Sequence, residues 1–151
     1  MAEYVNINTQ QVTPDGNVLF LDSKPCNRGL VQHREGSGVF TLRGPSRGNC
    51  NRFARYKIEF NGNIALAEGA TVGPIAVALA IGGEVVTTNR AIVTPAAVGD
   101  YFNVTVVAQI DVPNGCCTSF SIKNAQAGVD ETLDVQPISV ANPNLDISRI
   151  A

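Results

Sequence analysis

The single histidine of this 151-residue chain, His33, stands in the charged triplet His33-Arg34-Glu35, directly before Gly36-Ser37-Gly38. A hydrolytic centre would use His33 as a base, a cysteine or serine as nucleophile, and a carboxylate to orient the ring. The local pattern fits no such arrangement. Ser37 lacks the strand-to-helix elbow that presents a nucleophilic serine, and Cys26-Asn27-Arg28 lacks the setting of a catalytic thiol. The same glycines match neither a phosphate loop nor a dinucleotide fingerprint. A Gly-Ser-Gly stretch after a charged triplet reads more simply as a turn between strands. Arg28, His33, Arg34 and Glu35 are therefore expected to form an ion-pair and hydrogen-bond network at a subunit or partner interface, where the planar guanidinium is favoured. Asp130-Glu131 and Asp134 read as solvated loop charge, so no catalytic residue and no cofactor is predicted.

Four cysteines, Cys26, Cys50, Cys116 and Cys117, raise metal binding and cross-linking. Adjacent side chains on a strand point to opposite faces, so Cys116-Cys117 does not make the paired ligand set of a tetrahedral zinc site. No metal is expected. Cys26 and Cys50 flank a basic region and would bridge if their strands pair; free thiols are the alternative, and both readings stand at this point.

The elements that must position these residues read as strands. In residues 55–60 (RYKIEF), Tyr56, Ile58 and Phe60 alternate with Arg55, Lys57 and Glu59. In residues 102–111 (FNVTVVAQID), Phe102, Val104, Val106, Ala108 and Ile110 share one face, and Val107 breaks the polarity of the other. Phe120 and Ile122 repeat the pattern. Further strands are expected over 17–22, 38–42, 63–67, 75–81, 84–88, 138–141 and 145–150. Asn61-Gly62, Gly82-Gly83, Val112-Pro113-Asn114-Gly115, residues 124–128 and Asn142-Pro143-Asn144 are turn signals between them. Strands about ten residues apart without a sustained helical period predict an all-β, antiparallel jelly-roll sandwich. Residues 102–111 and the run 74–81, apolar on both faces, are the candidates for core and subunit contact.

Composition agrees: 44% apolar and 16% charged residues exclude a disordered chain, and 14 Gly with 8 Pro suit many turns. The net charge of −2 conceals a division. Residues 24–57 hold eight cations against Glu35, whereas residues 61–151 hold three against eight acids. One end is thus expected to meet an acidic partner; the basic residues form no dense run, which disfavours nucleic acid. No export signal and no apolar run of bilayer length is read, so synthesis in the cytosol is expected, with no membrane partner. Residues 1–16 are polar, lack a period and end in Thr13-Pro14-Asp15-Gly16; they read as an N-terminal arm before a domain spanning 17–151.

Two resemblances add to this reading. Residues 99–104 (GDYFNV) resemble the strand opening of tumour-necrosis-factor-like and complement-type globular heads, and residues 144–151 (NLDISRIA) resemble the closing strand of a related bacterial spore-surface head. The resemblance implies a trimeric jelly roll, with Tyr101 and Phe102 at the subunit interface. Residues 26–44 (CNRGLVQHREGSGVFTLRG), 93–106 (VTPAAVGDYFNVTV) and 112–126 (VPNGCCTSFSIKNAQ) resemble small proteins of phages and prophages of gut Firmicutes. That resemblance implies a capsid decoration or head-fibre protein in the virion, bound to the major capsid protein through the N-terminal arm. A binding module for carbohydrate or a host cell surface is the alternative function.

Overall fold

The computed structural model describes residues 1–25, 29–46, 50, 52–128 and 134–151, with residues 22–25 described through their backbone. Among them the chain forms eleven strands and no helix: β1 (Ala2–Val5), β2 (Gln10–Val12), β3 (Asp22–Pro25), β4 (Val31–His33), β5 (Phe40–Arg43), β6 (Phe53–Leu66), β7 (Ile75–Ile81), β8 (Glu84–Val93), β9 (Phe102–Pro113), β10 (Cys117–Ala125) and β11 (Ile138–Arg149). One sheet runs β3-β1-β11-β6-β9, with β2 also pairing β11; the other runs β4-β5-β10-β7-β8. Every pairing between these strands is antiparallel. Only β4-β5 and β7-β8 are neighbours in both sequence and sheet. The chain otherwise crosses repeatedly between layers, which makes the sandwich a jelly roll.

Period-two patterning builds the core. Tyr56, Ile58 and Phe60 of β6 and Val104, Val106, Ala108 and Ile110 of β9 are buried against Leu42, Val77, Leu79, Phe120 and Ile122 of the facing sheet. Phe40 anchors an aromatic cluster: its ring centroid lies 4.8 Å from Tyr4, 5.5 Å from Phe20 and 5.3 Å from Phe120. Gly82 and Gly83 both adopt positive φ, as the two-residue turn between β7 and β8 requires.

Several expectations change. Residues 1–16 do not form a separate arm: Ala2–Val5 pairs β11 on one side and β3 on the other, and Gln10–Val12 pairs β11 further along. Ala2, Tyr4 and Val12 are buried, an alternation too short to register against polar neighbours. Asn61-Gly62 is no turn. β6 runs straight through it because Asn61 and Gly62 are held in register by Thr105 and Val104 of β9. Gly62 instead makes room, since a Cβ there would lie 2.9 Å from Cζ of the buried Phe60. Asn142-Pro143-Asn144 is a bulge rather than a strand end, with Asn142 at φ 51°. It separates the stretch of β11 that pairs β2 from the stretch that pairs β1.

The run 74–81 is not an exposed contact strand either. β7 lies inside its sheet between β10 and β8, and Ala76, Ala78 and Ala80 on its second face are fully buried. Their methyl groups stand lower than their neighbours, and Lys123 and Arg90 flank Ala78 in register. Phe102 was expected to face the core; at the first position of β9 it is 40% exposed, and burial begins at Val104.

Candidate subunit interface

β8 and β9 are each paired on one side only, and they lie against each other along one edge of the sandwich. The Asn89 amide donates across this edge to the Val107 carbonyl at 3.0 Å. Sheet edges invite further pairing unless charge or bulges block them. Here blocking charge is sparse: β8 reads EVVTTNRAIV, and both its faces are exposed or half-buried. Ile92 is 43% exposed and Val107 48%; Val98 (41%), Tyr101 (48%) and Phe102 (40%) lie on and just before β9. Apolar surface on a strand edge with so little charge is what a second protein surface would cover.

The outer face of the β3-β1-β11-β6-β9 sheet is polar and ordered into rows by the register. Glu3, Asp146 and Glu59 stand abreast on β1, β11 and β6, with Val107 beside Glu59 on β9. Burial raises the Asp146 carboxyl above the ordinary range, and the charges of Glu3 and Glu59 raise it further. Lys57 Nζ pairs Glu59 at 2.7 Å, and the Asn144 amide donates to Glu3 at 2.8 Å. One end of this face holds Arg55 bidentate on Asp111, at 2.7 and 2.8 Å, with its guanidinium 5.2 Å from the Phe53 ring centroid. That hydrogen bond lowers the Asp111 carboxyl and raises Arg55. Towards the other end the Asn61 amide donates to Asn103 and Thr105, and the Asn103 amide donates to Asn61 and Asn63, all at 2.9–3.3 Å. Tyr101 immediately precedes β9 at this end.

The residues singled out in the sequence fall in three places. Arg28 and Cys26 lie outside the described residues. His33 ends β4 and turns inward: its ring stacks on Phe40 with centroids 4.3 Å apart, and Tyr4 meets it edge-on at 5.0 Å. His33 Nε2 donates to the Ser37 carbonyl at 2.8 Å, leaving Nδ1 buried without a partner. Ser37 Oγ meanwhile accepts from Val39 N at 3.0 Å, so histidine and serine meet through the backbone and not through the hydroxyl. Arg34 and Glu35 are exposed on the turn closed by Ser37 N donating to the Arg34 carbonyl at 2.9 Å. Cys50, paired in prospect with Cys26, carries a free, exposed thiol, as do Cys116 and Cys117. Only Tyr101 and Phe102 join the β8–β9 edge. Sequence reasoning missed Ile92 and Val98 there, while Val107 was visible as the apolar residue on a polar face.

Among the described residues, no three His, Cys, Asp or Glu side chains come together as a metal-binding set. No protein-family model and no curated protein matches the chain. Among solved structures it is similar to the globular domain of zebrafish complement 1qA protein, at 12% identity and a TM-score of 0.49, over 96% of this chain and 94% of that one. It is also similar to the C-terminal domain of EclA, a sugar-binding protein, at 14% identity and a TM-score of 0.35, over 83% and 87%.

Proposed function

We propose that this chain is a non-enzymatic structural module that associates as a homotrimer and serves in a phage virion as a capsid decoration or head-fibre component. The observation that carries the assembly is the β8–β9 edge, where Ile92, Val98, Tyr101, Phe102 and Val107 leave apolar surface beside strands paired on one side only. A head-to-tail contact from this edge to another surface of the next copy closes into a ring when the rotation is right. The virion setting is supported by the phage-like segments 26–44, 93–106 and 112–126. Attachment through residues 1–16 as a loose arm does not fit, because freeing them would strip β1 and β2 from β11. The loop between β1 and β2, where Ile7 is 79% exposed, is the part of this segment free to touch a shell. Light scattering tests the assembly: a mass of three 15.9 kDa chains is expected, and a monomer at high concentration refutes it. Co-sedimentation with purified capsids tests the setting, with loss of binding expected for Ile7→Asp.

A second reading, recognition of carbohydrate or a host surface, is favoured by the exposed Asn61, Asn103 and Thr105 and the half-buried Asn63 side chains near Tyr101. Amides satisfy sugar hydroxyls as donors and acceptors, and an aromatic ring stacks on the sugar's apolar face. A glycan array probed with the purified protein tests it, and an array without hits that Asn103→Ala abolishes removes it.

A further inference from the structure

Two connections between the sheets are joined by backbone hydrogen bonds at one end of the sandwich. Residues 44–52 lead from β5 to β6, and residues 114–116 lead back from β9 to β10. They are neighbours because β5 pairs β10 in one sheet while β6 pairs β9 in the other. Backbone hydrogen bonds fasten them together at both ends of the longer one: Gly44 N to the Cys116 carbonyl at 3.0 Å, Gly115 N to the Pro45 carbonyl at 3.0 Å, and Asn114 N to the Arg52 carbonyl at 2.9 Å. The approach is so close that a Cβ on Gly44 would overlap the Pro113 carbonyl. Cys50 belongs to the longer connection and Cys116 to the shorter, with Cys117 next to it opening β10; all three thiols are free and exposed. Cys116 and Cys117 line a surface groove of about 470 Å³, together with Leu30, Arg43, Pro45 and Gly115.

We propose that Cys50 and the Cys116-Cys117 pair form a thiol–disulfide site, in which oxidation ties Cys50 to the turn between β9 and β10. Chain reach permits it. Cys50 is two residues from Arg52 and Cys116 two from Asn114, spans of at most about 7 Å each on either side of a direct hydrogen bond. A bridge within the Cys116-Cys117 dipeptide is disfavoured, because adjacent Cα atoms are about 3.8 Å apart and disulfides usually need roughly 4.4–6.8 Å. With glutathione disulfide as oxidant, one thiolate of the pair attacks a glutathione sulfur and releases the first glutathione thiolate. The Cys50 thiolate then attacks the protein sulfur of the mixed disulfide and releases the second. Two protein thiols lose two electrons and two protons, and one glutathione disulfide becomes two glutathione thiols. The site does not depend on how copies associate.

The test is oxidation of the reduced full-length protein with glutathione disulfide at high dilution, then non-reducing tryptic mapping. Trypsin releases residues 48–52 (GNCNR) with Cys50 as their only cysteine, and residues 91–123 with Cys116 and Cys117. A disulfide joining these two peptides, in protein that runs as a single chain on a denaturing gel, is the expected result. Cys26→Ser should keep that link, and Cys50→Ser should replace it with a glutathione adduct on residues 91–123. A Cys26–Cys50 link, a bridge confined to residues 91–123, a link between chains, or glutathione adducts alone in the unmutated protein would each overturn the proposal.

Discussion

Replacing Val107 by Lys separates the assembly from the fold. Val107 points outward from β9 and is 48% exposed, so the lone chain has little to lose, and a lysine there stands opposite Glu59 in register. Surface substitutions of this kind usually change stability by no more than about 0.5 kcal/mol. In the proposed trimer the same position would be buried. Covering the exposed half of a valine contributes roughly 1 kcal/mol, half of the value for full burial. Desolvating the ammonium adds at least about 1 kcal/mol per copy. A closed three-copy ring repeats the change three times, about 6 kcal/mol in all, which is about four decades in the association constant. Sedimentation or light scattering over a concentration series should therefore show a trimer for the parent and a monomer for Val107→Lys, with unfolding of the monomer unchanged. A variant that keeps the parent's trimeric mass would show that the β8–β9 edge is not the contact.

Three further outcomes are expected. Asp146→Asn should stabilise the fold at neutral pH by less than about 1 kcal/mol, the scale of cross-strand like-charge contacts. Because the fold raises the Asp146 carboxyl, its penalty is fully present above that raised value and disappears as pH falls below the ordinary carboxylate range; urea unfolding at both ends of this window checks it, and a gain that persists in acid contradicts it. Gly62→Ala should cost about 1–3 kcal/mol by overpacking Phe60, read as a lower urea midpoint with unchanged slope. Asn124→Ala should cost about 1–3 kcal/mol, because its buried amide donates to the Val12 and Gln136 carbonyls at 3.2 and 2.8 Å; limited proteolysis near residues 134–136 should quicken, and unchanged cleavage would contradict this role.

The all-β class and the inward faces of β6, β9 and β10 were legible, because apolar and mostly polar residues alternate along much of each. What failed was punctuation. Asn61-Gly62 and Asn142-Pro143-Asn144 carry turn chemistry, yet each is overruled by neighbouring strands, and the local cue survives as a gap for a ring or as a bulge. β1 and β2 were illegible for the opposite reason: four and three residues show too few repeats to be told from a tail, and their partner is met at the far end of the sequence. The candidate interface was half legible. Tyr101, Phe102 and Val107 could be named as unusual, but which strands form an edge depends on sheet order, and no local pattern encodes that.

The pairing of β1 with β11 also governs when the protein can exist. β1 finds its principal partner, residues 144–147, only after every strand between them has been made. Until then β6 lacks its neighbour on that side, and one whole layer stands open with its apolar face uncovered. Chains built on such distant pairings fold slowly, in milliseconds to seconds, and are exposed to aggregation while they wait. This layer therefore cannot close before β11 has been made, and the supply of folded copies is set by how well the unfinished chain is kept from its neighbours.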